Sequence, residues 1–408
     1  MSNRSLLAPA DSRPLHQPNA WLTAAAALAV VGWGANQFAP LLVMYEERSG
    51  VSVAAAQGMF ALYAIGLVPG LFVGGPLSDR RDRRTIVLWG LGLSLVASVA
   101  LGLGGTWHTG FLYVGRLVAG VASGVVFSCG TAWLQELSTE GPGGTPRGPA
   151  RATISMTAGF ALGPLVAGVF AQYAPRPLLT AYLPHVVLLL VAYAAVSRMP
   201  RTTPVVRRIA VDATGSVDPG RRRLRMVVLP LAPWVFITGA VGLAILPGSA
   251  REAVAGHAVL FASVAVSLCA FAGLVMQPVV RVLHHRRRTV KLTSFGLAVA
   301  GLVLGALATA HSSVPLVLAG VVVLGGACGA LMVTGLTDAR ALAPPHALGR
   351  TVATFQAGTY AGYVSPFFIA LLNRAVPLPT ILTALAVAAA ATATWVVLTE
   401  AVLGSRGN

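Results

Sequence analysis

The chain alternates between long apolar blocks and short polar segments. There are twelve such blocks, and each is long enough to cross a bilayer as a helix, which takes about 20 apolar residues. We therefore predict an all-α integral membrane protein with twelve transmembrane helices. The blocks cover residues 21–45, 53–77, 85–106, 109–137, 151–174, 178–197, 227–248, 257–281, 290–310, 314–340, 349–373 and 377–402.

Composition agrees with a membrane protein. Of 408 residues, 56% are hydrophobic and 10% are charged, whereas soluble proteins carry about 25% charged residues. The net charge of +17 lies in short segments between apolar blocks, so we expect a lipid bilayer and no nucleic acid as partner. Cys129, Cys269 and Cys328 lie inside apolar blocks without the spacing of a disulfide or metal site. We expect no cofactor, no metal site and no catalytic residues.

Charge sets the predicted orientation. With twelve spans, 24 of the 29 Lys and Arg residues fall on the side that carries both termini. The other side carries Arg48, Arg176, Arg251 and Arg374, and Arg116 lies inside a span. Short loops rich in Lys and Arg remain cytoplasmic, which predicts cytoplasmic termini.

The polar stretch 198–226 separates two sets of six spans. We interpret it as a cytoplasmic linker between an N-terminal bundle, 21–197, and a C-terminal bundle, 227–402. The tails, 1–20 and 403–408, are predicted to be cytoplasmic.

The two bundles share a sequence pattern that indicates an internal repeat. An arginine is followed by the same small residues in the fifth span of each bundle, at a constant offset of 199 residues. A parallel repeat of two six-helix halves is known in secondary transporters. The matched residues are Arg151, Ala158, Gly159 and Gly163 with Arg350, Ala357, Gly358 and Gly362.

The turn between spans 2 and 3 carries the most specific motif. Residues 75–84 read GPLSDRRDRR, and this segment resembles the signature turn of the major facilitator superfamily. The matching residues are Gly75, Leu77, Asp79, Arg80, Arg83 and Arg84, while Asp82 stands where that family usually has glycine. The resemblance extends over essentially the whole chain and implies two pseudo-symmetric six-helix bundles.

The signature turn has a physical interpretation and an implied role. Gly75 would allow two helix backbones to approach closely, and Asp79 would pair with Arg83 or with a helix N-terminus. The resemblance implies that this turn latches the cytoplasmic gate. A cluster that serves only to set topology is the alternative.

Two further motifs resemble those of proton-coupled exporters in the same family. Arg116, with Leu112 and Gly120, matches a helix-4 motif, and a charge inside the membrane usually faces a cavity or a partner. An arginine that reaches the outer surface is the alternative. In span 5 the helix-5 motif comprises Gly159, Gly163, Pro164 and Gly168, which implies an antiporter, although helix packing alone also explains the glycines.

No acidic residue lies at the middle of a predicted span. The proton-coupling candidates besides Arg116 are therefore Glu46 and Glu47 at the outer end of span 1, Glu136 near the inner end of span 4, and His185 in span 6. Histidine titrates near neutral pH, but a single buried histidine is more often structural. Proton coupling thus depends mainly on the family resemblance.

Polar and aromatic residues at mid-span are candidates for a substrate cavity between the halves. A wall of this type suits an amphipathic organic molecule better than a sugar or phosphate. The candidates are Trp33, Asn36, Gln37, Tyr63, Phe127, Trp234, Phe355, Gln356 and Tyr360.

The function that these features favour is export of small organic or drug-like molecules across a bacterial cytoplasmic membrane by a monomeric carrier. Protons are the expected coupling partner. Import or uniport of a small metabolite by the same fold is the alternative, and a membrane-bound enzyme or receptor is a more remote one.

Overall fold

The computed structural model describes residues 19–138, 147–201, 222–283, 286–343 and 348–405. The described part of the first bundle comprises helices α1 (Ala20–Asn36), α2 (Leu42–Arg48), α3 (Val53–Arg80), α4 (Arg83–Gly104), α5 (Gly110–Leu137), α6 (Gly148–Tyr173), α7 (Pro177–Thr180) and α8 (Leu183–Ser197). The described part of the second comprises α9 (Leu224–Ser249), α10 (Ala258–Val282), α11 (Arg287–His311), α12 (Val314–Leu342), α13 (Leu348–Ala361), α14 (Ser365–Leu372) and α15 (Leu378–Ser405).

The predicted all-α membrane fold is confirmed. Among the described residues, ten helical segments are long and apolar enough to cross a membrane. Predicted spans 1 and 11 are interrupted: α1 and α2 share the first, and a 3₁₀ turn at Gly362–Val364 divides the other. The total of twelve crossings and the side of the termini stay predictions. Most of the linker and the first tail, at 202–221 and 1–18, lies outside the described residues.

Pro40 lies at the interruption of the first span. A proline within a helix clashes with the carbonyl group four residues earlier, which here belongs to Asn36, the last residue of α1. The chain then makes tight turns, in which the Ala39 amide donates to the Asn36 carbonyl and the Leu41 amide to the Phe38 carbonyl. The last carbonyl groups of α1 are consequently left available to side chains in mid-membrane.

The apolar core forms two main clusters, the first centred in the N-terminal bundle and extending to residues of the second, such as Ala244 and Tyr363. Phe38, Tyr45 and Trp133 are among the buried side chains of the first core, and Phe295 and Phe355 are among those of the second. The long helices run between two ends of the protein. The turn between α3 and α4 lies at the arginine-rich end, and the turn between α2 and α3 lies at the opposite end.

Glycines bring equivalent helices together in both bundles. A Cβ atom at Gly163 of α6 would overlap the carbonyl oxygen of Trp33 in α1, and one at its repeat equivalent Gly362, after α13, would overlap that of Pro233 in α9. Close approach of this kind is what small residues permit in membrane bundles. The sequence repeat therefore corresponds to a repeated helix–helix contact.

We expect Gly159→Ala to lower the free energy of unfolding by about 1–3 kcal/mol, the usual cost of overpacking. The added methyl group would meet backbone atoms of Ala29 and Trp33, which cannot move aside independently. Gly92→Ala is the matched control, because nothing lies within 4 Å of its Cβ position. Thermal unfolding in detergent measures both, and equal midpoints would contradict the packing role of Gly159.

Candidate functional site

A cavity of about 530 Å³ lies between the two bundles and extends to the arginine-rich end. Its wall combines apolar, aromatic and polar side chains from α3, α5 and α6 of one bundle and α10, α12 and α13 of the other. The lining residues are Val68, Leu71, Phe72, Phe127, Ser128, Thr131, Gln135, Pro149, Ala152, Thr153, Met156, Arg281, Val333, Leu336, Thr337, Arg340, Ala353, Gln356, Ala357 and Tyr360.

The hydroxyl groups of this wall are satisfied by their own helices. Ser128 donates to the Gly124 carbonyl oxygen at 2.9 Å, and Thr131 to that of Phe127 at 2.7 Å. Thr337 bonds in the same way within α12. These hydroxyl groups therefore present acceptor lone pairs to the cavity, while the donors left for a ligand belong to amide, phenol and guanidinium groups.

An aromatic barrier closes the end of the cavity that lies farthest from the arginine-rich end. It consists of Phe60 and Tyr63 of α3, Phe236 of α9, and Tyr360 and Tyr363 around the end of α13. Ring centroids lie 4.6 Å apart for Phe60 and Tyr363 and 5.0 Å apart for Phe236 and Tyr360. Because the stacked rings come from both bundles, the barrier joins the two halves above the cavity.

Polar contacts between the bundles continue from the barrier to the opposite end. The Gln57 amide donates to the Ala244 carbonyl oxygen at 2.9 Å, and the Ser267 hydroxyl to that of Ala161 at 2.7 Å. Farthest from the cavity, Arg251 pairs with Glu46 at 3.5 Å. The halves are thus closed at the opposite end and separated by the cavity at the arginine-rich end.

The structure brings together three of the nine predicted cavity residues, Phe127, Gln356 and Tyr360. The other six lie outside this lining and contact neighbouring helices, so their role in a substrate cavity stays a prediction. Phe355 is fully buried against Gly335, and the Trp234 indole donates to Thr392 at 3.2 Å. The residues outside the lining are Trp33, Asn36, Gln37, Tyr63, Trp234 and Phe355.

In the signature turn, the arginines hold their own bundle together. Arg83 pairs with Glu136 of α5 at 2.7 Å. Arg84 donates to the carbonyl oxygens of Val196 and Ser197 at the end of α8. The start of α4 is thereby tied to the ends of two neighbouring helices. The predicted pairing of Asp79 lies outside the described side chains, and Arg80 is exposed.

Asp82, which departs from the family pattern, caps α4. Its carboxylate accepts from the Arg84 amide at 3.2 Å and from the Thr85 hydroxyl at 3.0 Å. With φ −55°, this position needs no glycine. The expected close approach at Gly75 is wrong in this conformation, because nothing lies within 4 Å of its Cβ position. Gly74, by contrast, packs against Val125 of α5.

Arg116 of α5 is fully buried and donates to backbone carbonyl groups. Its three nitrogens lie 3.4 Å from the carbonyl oxygens of Ala35, Met59 and Phe60. The guanidinium carbon is 4.6 Å from the Tyr63 ring centroid and 4.7 Å from that of Phe38. Among the described residues, no carboxylate pairs with it. Arg116 therefore caps the C-terminal end of α1 and packs against Phe60 and Tyr63 of the aromatic barrier.

His185 of α8 has a partner on both ring nitrogens. Nε2 donates to the Val30 carbonyl oxygen at 2.9 Å, so Nδ1 accepts from Ser98 at 2.7 Å and from Gln37 at 3.1 Å. This arrangement describes a neutral imidazole that links α1, α4 and α8. His185 lies outside the cavity lining, and its coupling role stays a prediction.

The helix-5 motif contributes to two different contacts of α6. Gly159 and Gly163 pack against the backbone of α1, while Gly168 packs against Ser263 of α10 in the other bundle. Pro164 is buried within the continuous helix. The motif thus serves packing inside the bundle and at the closed interface between the bundles.

One charged cluster was not among the predicted site residues. Lys291 of α11 is 2% exposed, and its Nζ lies 2.7 Å from Asp338 of α12 and 2.8 Å from Glu400 of α15. Arg223 also pairs with Glu400, at 2.9 Å. In the sequence, Lys291 counts among the 24 cations on the side that carries both termini. The cluster could have been inferred from the sequence, which places a lysine and two carboxylates at the same end of three apolar blocks.

We expect Lys291→Met to lower the free energy of unfolding by about 3–5 kcal/mol, because it leaves the buried Asp338 carboxylate without its cation and Glu400 with Arg223 alone. Chemical denaturation in mixed micelles measures the change. Arg288→Met, at an exposed position on the same helix, should stay within about 0.5 kcal/mol of the parent protein. Similar values for the two variants would show that the cluster is not stabilising.

Comparison with known proteins identifies the fold. Peptide transporter POT in complex with sulfate superposes with a TM-score of 0.76 at 14% identity, covering 95% of each chain. A mutant of the nucleoside transporter NupG superposes with a TM-score of 0.70 at 11% identity, covering 94% of this chain and 98% of that one. At such low identities these likenesses show the fold alone.

Sequence comparison adds the family. An uncharacterized MFS-type transporter of Bacillus subtilis (strain 168), YceJ, is 27% identical over 184 residues, or 45% of this chain. The match spans 46% of YceJ, about half of its length. The sequence profile of the Major Facilitator Superfamily matches residues 22–366. The chain therefore belongs to the Major Facilitator Superfamily and is a multi-pass membrane protein.

Proposed function

We propose that this protein exports small amphipathic organic molecules across a bacterial cytoplasmic membrane by alternating access. The observation that carries the proposal is the cavity between the bundles, which extends to one end only. Its largely apolar and aromatic wall, with a few donors, suits a drug-sized organic molecule. The Gly-Pro motif of α6 supports export over import through its resemblance to antiporters.

The predicted topology assigns a direction to the cavity. Lys and Arg concentrate at the arginine-rich end, which by the positive-inside rule faces the cytoplasm. The conformation described here is then inward-facing, ready to take a molecule from the cytoplasm. Export requires the signature turn, including Asp79, to close this end while the contacts at the opposite end separate.

Glu46 is a proton-coupling candidate that links the bundles. Burial raises the pKa of Glu46 to about 7 from 4.5, although Arg251 opposes the change and Glu47 adds to it. Glu46 lies beyond the predicted first span, and its side chain is 14% exposed in the closed interface. Closing this end of the protein therefore favours protonation of Glu46. A proton taken from outside would accompany the change to the inward-facing state.

Import or uniport by the same fold is the main alternative. An inward-facing conformation occurs in the cycle of any such carrier, so direction must come from flux. A membrane-bound enzyme is the remote alternative, and it would be revealed by turnover of a bound compound without movement across the membrane.

Flux into inside-out vesicles tests the proposal. With an acidified lumen, a panel of amphipathic cations, anions and neutral drugs should include compounds that accumulate, because protons leaving the lumen would drive them inward. A protonophore should abolish that accumulation, and vesicles without the protein supply the control. Accumulation only in right-side-out vesicles would indicate import, while flux without dependence on the gradient would remove proton coupling.

The closed opposite end should become less favourable as pH rises. In the closed form the pKa of Glu46 is about 7. Protonation of Glu46 therefore stabilises the closed form fully below about pH 4.5, and this stabilisation is lost as the pH rises through 7. Between pH 5 and pH 8 the ratio of closed to open forms should fall by roughly one to two orders of magnitude.

Spin labels on Arg48→Cys and Ala253→Cys, with the three native cysteines replaced by alanine, measure the separation across this end. Glu46→Gln should remove the pH dependence, whereas Glu47→Gln, at an exposed neighbour, should retain it. A pH response that persists in Glu46→Gln would exclude this residue as its source.

A further inference from the structure

Two arginines of the cavity wall have no counter-ion among the described residues. Arg281 at the end of α10 and Arg340 near the end of α12 both line the cavity and are exposed. Within the described residues, neither forms an ion pair. They come from different helices of the second bundle, so they present two guanidinium groups at one mouth.

The acidic residues nearest in sequence to this wall are already paired. Glu136 follows the lining residue Gln135 but pairs with Arg83 at 2.7 Å. Asp338 follows the lining residue Thr337 but pairs with Lys291 at 2.7 Å. Both carboxylates thus neutralise cations within their own bundles. Over the described lining, cationic groups have no acidic counterpart.

The remaining polar groups of the wall offer hydrogen-bond donors, which agrees with its positive charge. The serine and threonine hydroxyl groups donate to their own helices, so the neutral donors left for a ligand are Gln135, Gln356 and the phenol of Tyr360. Guanidinium groups bind carboxylates through paired, charge-assisted hydrogen bonds. A cleft with apolar walls also focuses the field of its charges and concentrates ions of opposite sign.

We infer that the cavity selects amphipathic organic anions, in which Arg281 and Arg340 bind a carboxylate or sulfonate group. The apolar or aromatic body of the same molecule packs between Leu71 and Phe72 of one bundle and Val333 of the other. This inference rests on the proposed transport of amphipathic molecules and narrows it to one charge class. An organic cation would meet two like charges and no carboxylate of the described wall.

Arginines at this end also help to set the orientation of the protein in the membrane. The experiment therefore needs a control variant that removes the same charge at another position. Arg286 and Arg287 lie at the same end, are exposed and are outside the cavity lining. Arg286→Gln/Arg287→Gln therefore removes two positive charges without altering the wall. Arg281→Gln/Arg340→Gln removes two charges from the wall itself.

The test uses three molecules that share one aromatic body: naphthylacetate, naphthylacetamide and naphthylmethyl-trimethylammonium. Binding to the purified full-length protein is measured by fluorescence at low and high salt. The parent protein should bind the acid most tightly and the ammonium compound most weakly. Arg281→Gln/Arg340→Gln should weaken binding of the acid about tenfold, a typical loss for one charge-assisted contact.

The same double variant should bind the amide within about twofold of the parent protein, which shows that the cavity is intact. Arg286→Gln/Arg287→Gln should retain the full preference for the acid. High salt should weaken binding of the acid more than of the amide. Equal or tighter binding of the ammonium compound, or equal effects of the two double variants on the acid, would overturn the inference.

Flux of the same three molecules separates this inference from the proposed export. Transport of the ammonium compound but not of the acid would leave export standing and overturn the anion selectivity. Acid binding that depends on Arg281 and Arg340, with no flux of any of the three, would support the anion site and count against export.

Discussion

The buried guanidinium group of Arg116 is the constraint on which the middle of the first bundle depends. An unpaired charge in mid-membrane is costly, and here backbone carbonyl groups and aromatic rings replace the missing carboxylate. The last turn of α1 supplies the Ala35 carbonyl, where the helix dipole also favours a cation. Pro40 makes this possible, because it ends α1 at that depth.

The position of the aromatic barrier follows from this arrangement. Arg116 faces the rings of Phe60 and Tyr63, and the same rings meet Tyr363 of the second bundle. Two short ion pairs act differently, because Arg83 with Glu136 and Lys291 with Asp338 stay within single bundles. The longer pair of Arg251 with Glu46 joins the bundles at the opposite end. Strong ties inside each bundle and weaker contacts between them are what rigid-body movement of two halves requires.

Much of the fold was predictable from sequence, because long apolar blocks in a chain with few charges leave little besides membrane helices. The family resemblance through residues 75–84 was confirmed, while the exporter subtype stays a proposal. The interruption at Pro40 was not predicted, since residues 21–45 were treated as one span. The cavity wall was harder to predict, because helices that are apolar all round give no sign of which side faces a neighbour. Phe355 and Tyr63, for example, lie outside the lining in this conformation. Lys291 meets Glu400 across 109 residues of chain, which no local pattern reveals.

The hydroxyl groups of the cavity wall have a kinetic consequence. Because Ser128, Thr131 and Thr337 are satisfied by their own helices, this part of the wall needs neither cargo nor water to complete its hydrogen bonds. Closing an empty cavity around such groups forfeits little. In the proposed transport cycle, these hydroxyl groups therefore add little to the cost of returning the carrier without cargo.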